Sequence, residues 1–250
     1  MHDARSAVLR GGGKGDFPTT PGSAVFGARS VDPVERARSL RVLSRMYWKP
    51  IYKYVRLRWR KMPGDAEEIT QEFFLRSIDK NTFLGYESGR ARFRTFVRVC
   101  VDRLVVDLGR QSLAKKRGGG ARFLQLDFKA AEEELEEHES PLPDPEKLFE
   151  LEWVKNLLEL AVLGLRESCG RAGKDVHFRA FELFHLSDEP DRLSYADVAA
   201  KLGISVRDVN NRLTYARREF RAAVLEALRD STTSEQEMLE EARVVLGVGF

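Results

Sequence analysis

The chain has 250 residues, 42% hydrophobic and 32% charged, with a net charge of +3. That is enough for two modest domains, and no apolar run approaches the length of a membrane span. The opening MHDARSAVLRGGGKGDF lacks the apolar centre of a signal peptide, and Cys100 and Cys169 stand far apart, which fits a reducing cytoplasm better than a disulfide scaffold.

The small net charge hides segregation. Residues 41–117 carry nineteen Lys and Arg against eight Asp and Glu, whereas residues 127–152 carry two against eleven. A basic block followed by an acidic one implies a part that meets a polyanion and a part that does not. Residues 1–16 are Gly-rich, basic and without periodicity, the composition of a disordered arm. GGGKG is no P-loop, because no Ser or Thr follows the Lys and the upstream glycine spacing is wrong. Residues 20–29 suit a short capped helix. Pro33 to Met46 reads as a second helix with Pro in its first turn. In YWKPIYKYVRLRW (47–59), Trp48, Ile51, Tyr52, Val55 and Trp59 fit one helical face, and Lys53, Arg56, Arg58 and Arg60 are expected to point outward.

After the break at Met62-Pro63-Gly64, Asp65 is expected to cap a helix with Glu68 at its third position. Ile69, Phe73 and Phe74 are its apolar contacts, and Glu67, Glu68, Gln71 and Glu72 make an acidic, amide-bearing face. KNTFLGYESGRAR (80–92) reads as a loop. Phe93 to Arg110 is strongly amphipathic, with Phe93, Phe96, Val97, Cys100, Val101, Leu104, Val105 and Leu108 on the buried template and Arg94, Arg98, Arg103 and Arg110 opposite. Cys100 on that face reads as a small buried hydrophobe. KKRGGG (115–120) is a flexible basic hinge, and residues 127–145 are an acidic linker with prolines at 141, 143 and 145. Helices follow over 148–167 and 174–186. The tail from Ser231 has Ser234 and Glu237 to cap a short helix carrying Met238, Leu239, Val245 and Leu246. No strand pattern and no internal repeat stand out.

LSYADVAAKLGISVRDVNNRLTYARR (193–218) is the most specific stretch. Ser194 and Asp197 form a capping box, Val198, Ala199 and Leu202 an apolar face, and Gly203 stands where a left-handed cap is wanted. Ile204 plugs the turn. Ser205 and Asp208 cap a second helix whose buried face is Val206, Val209, Leu213, Ala216 and Phe220. The opposite face holds Arg207, Asn210, Asn211, Arg212, Thr214, Tyr215, Arg217 and Arg218, groove-reading and phosphate-holding side chains. This is a helix-turn-helix. By contrast, His2, His138, His177 and His185 are scattered, and no His/Cys/Asp set has metal-ligand spacing. No catalytic residue, metal or cofactor is assigned.

From about Phe17 to Asp230 the chain resembles the extracytoplasmic-function (ECF) sigma factors, promoter-specificity subunits of bacterial RNA polymerase. The resemblance rests on YWKPIYKYVR, DAEEITQEFFLR, FRTFVRVCVDRLVVD, the KKRGGG hinge and SYADVAAKLGISVRDVNNRLTYARR, in the family's order. It implies an all-α fold of two helical domains, sigma region 2 (17–112) and sigma region 4 (148–230), joined by a flexible acidic linker (113–147) and followed by a tail (231–250). It also implies a non-enzymatic, cytoplasmic protein whose partners are core RNA polymerase, through the beta prime clamp and beta subunits, and promoter DNA, with an anti-sigma protein as a further candidate and no membrane. Asp65, Glu68, Gln71 and Glu72 become the clamp-binding residues, with a solvated helix face as the plain alternative. Asn81, Phe83, Tyr86, Arg90, Arg92, Arg94 and Arg98 become the −10 strand-binding set: the ring and amide groups receive a flipped base and the arginines hold its backbone. Phe83 and Tyr86 equally suit packing under the loop. Arg207, Asn210, Asn211 and Arg212 become −35 base readers, with Tyr215, Arg217 and Arg218 on phosphates. Asn210-Asn211 stand where the family usually has Lys-Ser, so the base sequence read departs from the common pattern.

Two readings of the acidic linker stay open, a solvated spacer and a nucleic-acid mimic threading the polymerase cleft. A stand-alone helix-turn-helix repressor explains residues 193–218 but leaves the Asp65 helix and the basic block idle. An adaptor that binds polymerase without melting DNA is a third reading.

Overall fold

The computed structural model describes residues 23–79, 82–87, 89–112, 126–137, 144–187 and 193–247. The expected disordered arm, the KKRGGG hinge and Asn81 lie outside them. Ten α-helices and one 3-10 turn account for nearly all of the described chain, with no strand among the described residues. They are α1 (Ala24–Gly27), α2 (Pro33–Arg58), α3 (Pro63–Asp79), the 3-10 turn (Thr82–Gly85), α4 (Phe93–Ser112), α5 (Phe128–Glu136), α6 (Pro145–Arg171), α7 (Asp175–His185), α8 (Tyr195–Leu202), α9 (Val206–Ser231) and α10 (Glu235–Leu246).

The central element is α2. Asp32 caps it by accepting from the Val34 amide at 3.0 Å, with Pro33 at the first helical position, where a missing N–H costs nothing. The helix then runs unbroken through Pro50. An internal proline ordinarily costs about 3 kcal/mol. Burial offsets it here, for Tyr47, Ile51, Tyr52, Tyr54 and Val55 are all at most 1% exposed. Around α2 pack α1, α3, α5 and α6. Asp102 of α4 is tied to α2, accepting from the Trp59 indole at 2.8 Å and the Tyr54 hydroxyl at 3.1 Å.

Two apolar cores result. The first gathers α1–α4 with Phe128 and Ala131 of α5, the first half of α6 (Phe149, Trp153, Leu157, Ala161), the end of α9 (Val224, Leu228) and Met238 and Ala242 of α10. The second is built by α7 and α8 with the second half of α6 (Leu165, Cys169) and the start of α9 (Val209, Leu213, Ala216). The two long helices therefore serve both cores. They run antiparallel, with Gly164 opposite Ala223 and Ser168 opposite Glu219.

Three local expectations change. Helix α3 begins at Pro63, so Asp65 lies in its first turn and does not cap it. The acidic stretch after residue 126 holds a helix, α5, capped by Asp127 and seated on α2 through Phe128, whose ring meets those of Trp48 at 5.4 Å and Tyr52 at 5.1 Å. Lys53, expected to point outward, is only 2% exposed, because α5 and α6 cover it and set Glu134 at 2.7 Å and Glu152 at 2.8 Å from its ammonium. Arg58 and Arg60 are exposed as expected.

Candidate nucleic-acid interface

The helix-turn-helix is built as its sequence dictates. Ser194 and Asp197 make a reciprocal capping box, and these hydrogen bonds hold the Asp197 carboxyl below its usual range. Gly203 adopts the left-handed conformation (φ 63°) that side chains disfavour, and the Ile204 amide donates to the Ala199 carbonyl at 3.1 Å, closing the turn. Ser205 accepts from the Asp208 amide at 3.1 Å and starts α9. Val198, Val209, Leu213 and Ala216 are fully buried. Val206, expected on that buried face, is the first residue of α9 and is 49% exposed.

Arg207, Asn210, Asn211, Thr214 and Arg218 are exposed along the outward side of α9. Arg212 is half-buried, its guanidinium 3.5 Å from Asp208. The other two expected phosphate contacts carry internal work. Arg217 donates to the Tyr195 hydroxyl and to His185 Nε2, both at 3.1 Å, and lies over the Phe184 ring, tying α9 to α7 and α8. Tyr215 is half-buried, with the Lys174 ammonium 3.7 Å and the Arg218 guanidinium 5.0 Å from its ring centre and the His177 ring edge-on at 5.1 Å. Burial, reinforced by the charges of Arg212 and Lys174, lowers the His177 pKa.

A second cationic group lies on α4 and the segment before it. Phe83 and Tyr86 are buried at 1% and 4% exposure, their rings 5.5 Å and 5.1 Å from that of Phe93. Of their two uses, packing under the loop is the one seen here. Arg90 is exposed and pairs with Glu87 at 2.8 Å. Arg92 is exposed, with Glu241 at 3.4 Å. Arg98 is 2.7 Å from Glu146. Arg94 is 5% exposed, ion-paired with Glu150 and Glu241, and lies 4.6 Å from the Trp153 ring centre. Burial disfavours its charge, but the two carboxylates outweigh that and raise its pKa. The Tyr86 hydroxyl donates to Glu237 at 3.1 Å and is pushed up by burial and then by that charge.

The third group is the outward face of α3. Ala66, Ile69, Thr70, Phe73 and Phe74 turn inward. Asp65 and Glu68 are exposed, and Gln71 and Glu72 half-exposed. Gln71 donates to Glu67 at 3.1 Å and Arg76 to Glu72 at 2.6 Å, so the face stays acidic and hydrogen-bonded.

Sequence reasoning missed the acidic partners: Glu132 and Glu134 on α5, Glu146 and Glu150 on α6, and Glu237 and Glu241 on α10. A signal existed for α5, because Phe128, Ala131 and Leu135 recur at steps of three and four. Among the described residues no group of His, Cys, Asp and Glu is arranged to hold a metal ion, and no helix is long and apolar enough to cross a membrane.

Among the described residues the chain is all-helical, and its arginine- and asparagine-bearing second helix behind a capped glycine turn has the layout of a helix-turn-helix. More narrowly, the family model for the ECF sigma factors matches residues 55–226, well over half of the chain, and the protein belongs to that family. Comparisons with curated proteins and with solved structures give no match. The family's role is in transcription initiation, with RNA polymerase and promoter DNA as the partners it implies, and it is a family of transcription regulators rather than catalysts.

Proposed function

We propose that this sigma factor docks on the beta prime clamp of core RNA polymerase through Asp65, Glu68, Gln71 and Glu72, and contacts beta as well. It reads a two-element promoter in the cytoplasm. In this reading residues 17–112 are the unit that engages the clamp and the melted −10 strand, residues 148–230 read the −35 duplex, and residues 113–147 connect them. The observation that carries it is the solvent-facing row Arg207, Asn210, Asn211, Thr214 and Arg218 on a capped recognition helix, inside the segment that matches the family.

The chemistry follows from donor geometry. Asn reads adenine through paired donor and acceptor groups and Arg reads guanine through its fork, so Arg207, Asn210, Asn211 and Arg212 face the base edges. Arg218 holds a phosphate. Arg217 and Tyr215 hold α9 at its angle on α7 and α8, with phosphate contact a secondary part. Arg90, Arg92, Arg94 and Arg98 carry the strand backbone, Phe83 and Tyr86 support the base position from beneath the loop where they pack on Phe93, and Asn81 joins them on the family resemblance alone. An anti-sigma protein is a further partner in this scheme.

The test is reconstitution. Core polymerase with this chain should initiate at a discrete promoter, and core alone should not. Arg212→Ala should weaken holoenzyme binding to duplex promoter by about 1–3 kcal/mol, the usual range for one base-reading side chain. Unchanged affinity and unchanged sequence preference would remove Arg212 from the reading set. Tight operator-like binding by the free chain, with no effect on core polymerase, would replace the proposal with a stand-alone repressor.

A further inference from the structure

The arginines of α4 and its approach are already occupied. Glu237 and Glu241 lie one turn apart on α10. Glu237 accepts from Tyr86, and Glu241 stands against both Arg92 and Arg94. Glu241 is 3% exposed, a placement a carboxylate tolerates only beside a cation. The same helix is fixed by Met238 at 5% and Ala242 at 0% exposure, so apolar and ionic contacts seat it together. A solvated tail would keep its acids in water.

A guanidinium offers one fork, and carboxylate and phosphate compete for it with the same geometry. Arg94, closed from solvent by Glu150 of α6 and Glu241 of α10, keeps Glu150 when α10 leaves but loses the Glu241 side of that closure. Helix α10 follows α9 by only residues 232–234, and Ser23 holds that junction by donating to the Thr232 carbonyl at 2.6 Å. Lifting α10 away removes only Met238 and Ala242 from the buried members of the first core, and returns Glu237 and Glu241 to water rather than leaving them buried and unpaired.

We infer that α10 is an acidic clasp, a built-in phosphate mimic that holds Tyr86, Arg92 and Arg94 until a nucleic-acid strand displaces it. The inference rests on the proposed strand-binding role of those residues. Because coupling between two sites is reciprocal, weakening the clasp must strengthen strand binding by the free chain.

The experiment compares the full chain with its Glu237→Gln/Glu241→Gln variant, using fluorescence anisotropy with a labelled random-sequence single-stranded DNA oligonucleotide. The variant should bind at least about fivefold more tightly, the lower end of ordinary intersite coupling. Adding Arg92→Ala, or separately Arg94→Ala, should abolish the gain. No gain, with Arg92→Ala/Arg98→Ala still impairing open-complex formation by the holoenzyme, overturns the clasp and leaves the strand-binding role standing. No gain together with normal open complexes overturns that role and the clasp with it. A gain that survives the arginine substitutions overturns the clasp, since α10 would then mask some other surface. Hydrogen exchange on the unmodified holoenzyme is a second readout that does not depend on the variant's folding. Amides of residues 235–246 should lose protection in the open complex, and retained protection overturns the inference.

Discussion

Replacing Glu134 with Gln removes the charge on which three lysines converge. Its carboxylate lies 2.7 Å from Lys49, 2.7 Å from Lys53 and 2.9 Å from Lys155. Burial works against the charged form, but the three hydrogen bonds prevail and bring the Glu134 pKa from 4.5 to about 2. Such a shift corresponds to a ceiling of about 3 kcal/mol. Water reaches part of the carboxylate, which is 29% exposed, Lys53 keeps Glu152 at 2.8 Å, and Lys49 keeps Glu159 at 3.6 Å. The screened loss is therefore about 1–2 kcal/mol at pH 7, or roughly 2–8 °C in melting temperature for a chain of this size. The sign follows from a depressed folded-state pKa: the contribution is complete above 4.5 and fades as pH falls toward 2. Urea titrations of the two proteins should show a stability gap at pH 7 that narrows through this window. Equal stabilities at pH 7, or a gap unchanged on acidification, would refute the docking of α5 on α2 through this carboxylate.

Gly27→Ala tests the approach of α1 to α2. An added Cβ would lie 2.0 Å from Ser39 Oγ and 3.0 Å from Ser39 Cβ. The hydroxyl can rotate away but the backbone-borne Cβ cannot, so a loss of about 1–3 kcal/mol is expected in thermal or urea unfolding. Leu213→Ala empties a fully buried site of the second core and should cost about 2–5 kcal/mol. Its promoter affinity should drop along with stability, whereas Asn210→Ala should change sequence preference at unchanged melting temperature. Glu68→Arg with Gln71→Ala should abolish co-purification with core polymerase while leaving the circular dichroism spectrum intact; normal co-purification would remove the clamp role from α3.

Where a local rule decides the structure, the sequence was readable. The caps at Ser194, Ser205 and Ser234 and the left-handed Gly203 are set by side chains within three residues of each helix end. The apolar spacing of α4 placed Phe93, Val97, Val101 and Leu104 in the core. What was hidden depends on partners far along the chain. Lys53 carries every local mark of a surface residue and is covered only because residues 134 and 152 return to it. Arg94, Glu150 and Glu241 come from three helices, and no spacing rule joins them. The proline-punctuated acidic stretch looked like a spacer because its acids outnumber its apolar residues, yet Phe128 and Ala131 suffice to seat α5 once α2 offers Trp48 and Tyr52. On α9, chemistry alone did not separate Arg217, engaged with Tyr195 and His185, from the exposed Arg218.

The central claim is that α9 selects the upstream half of a promoter for polymerase. The most direct measurement is transcription from a genomic DNA library by core polymerase reconstituted with this chain, followed by sequencing of transcript 5′ ends. The result expected is a set of starts sharing two conserved elements near −35 and −10, and an Asn210→Ala/Asn211→Ala protein that alters only the upstream one. Starts with no upstream element, or an upstream element indifferent to both asparagines, would contradict it.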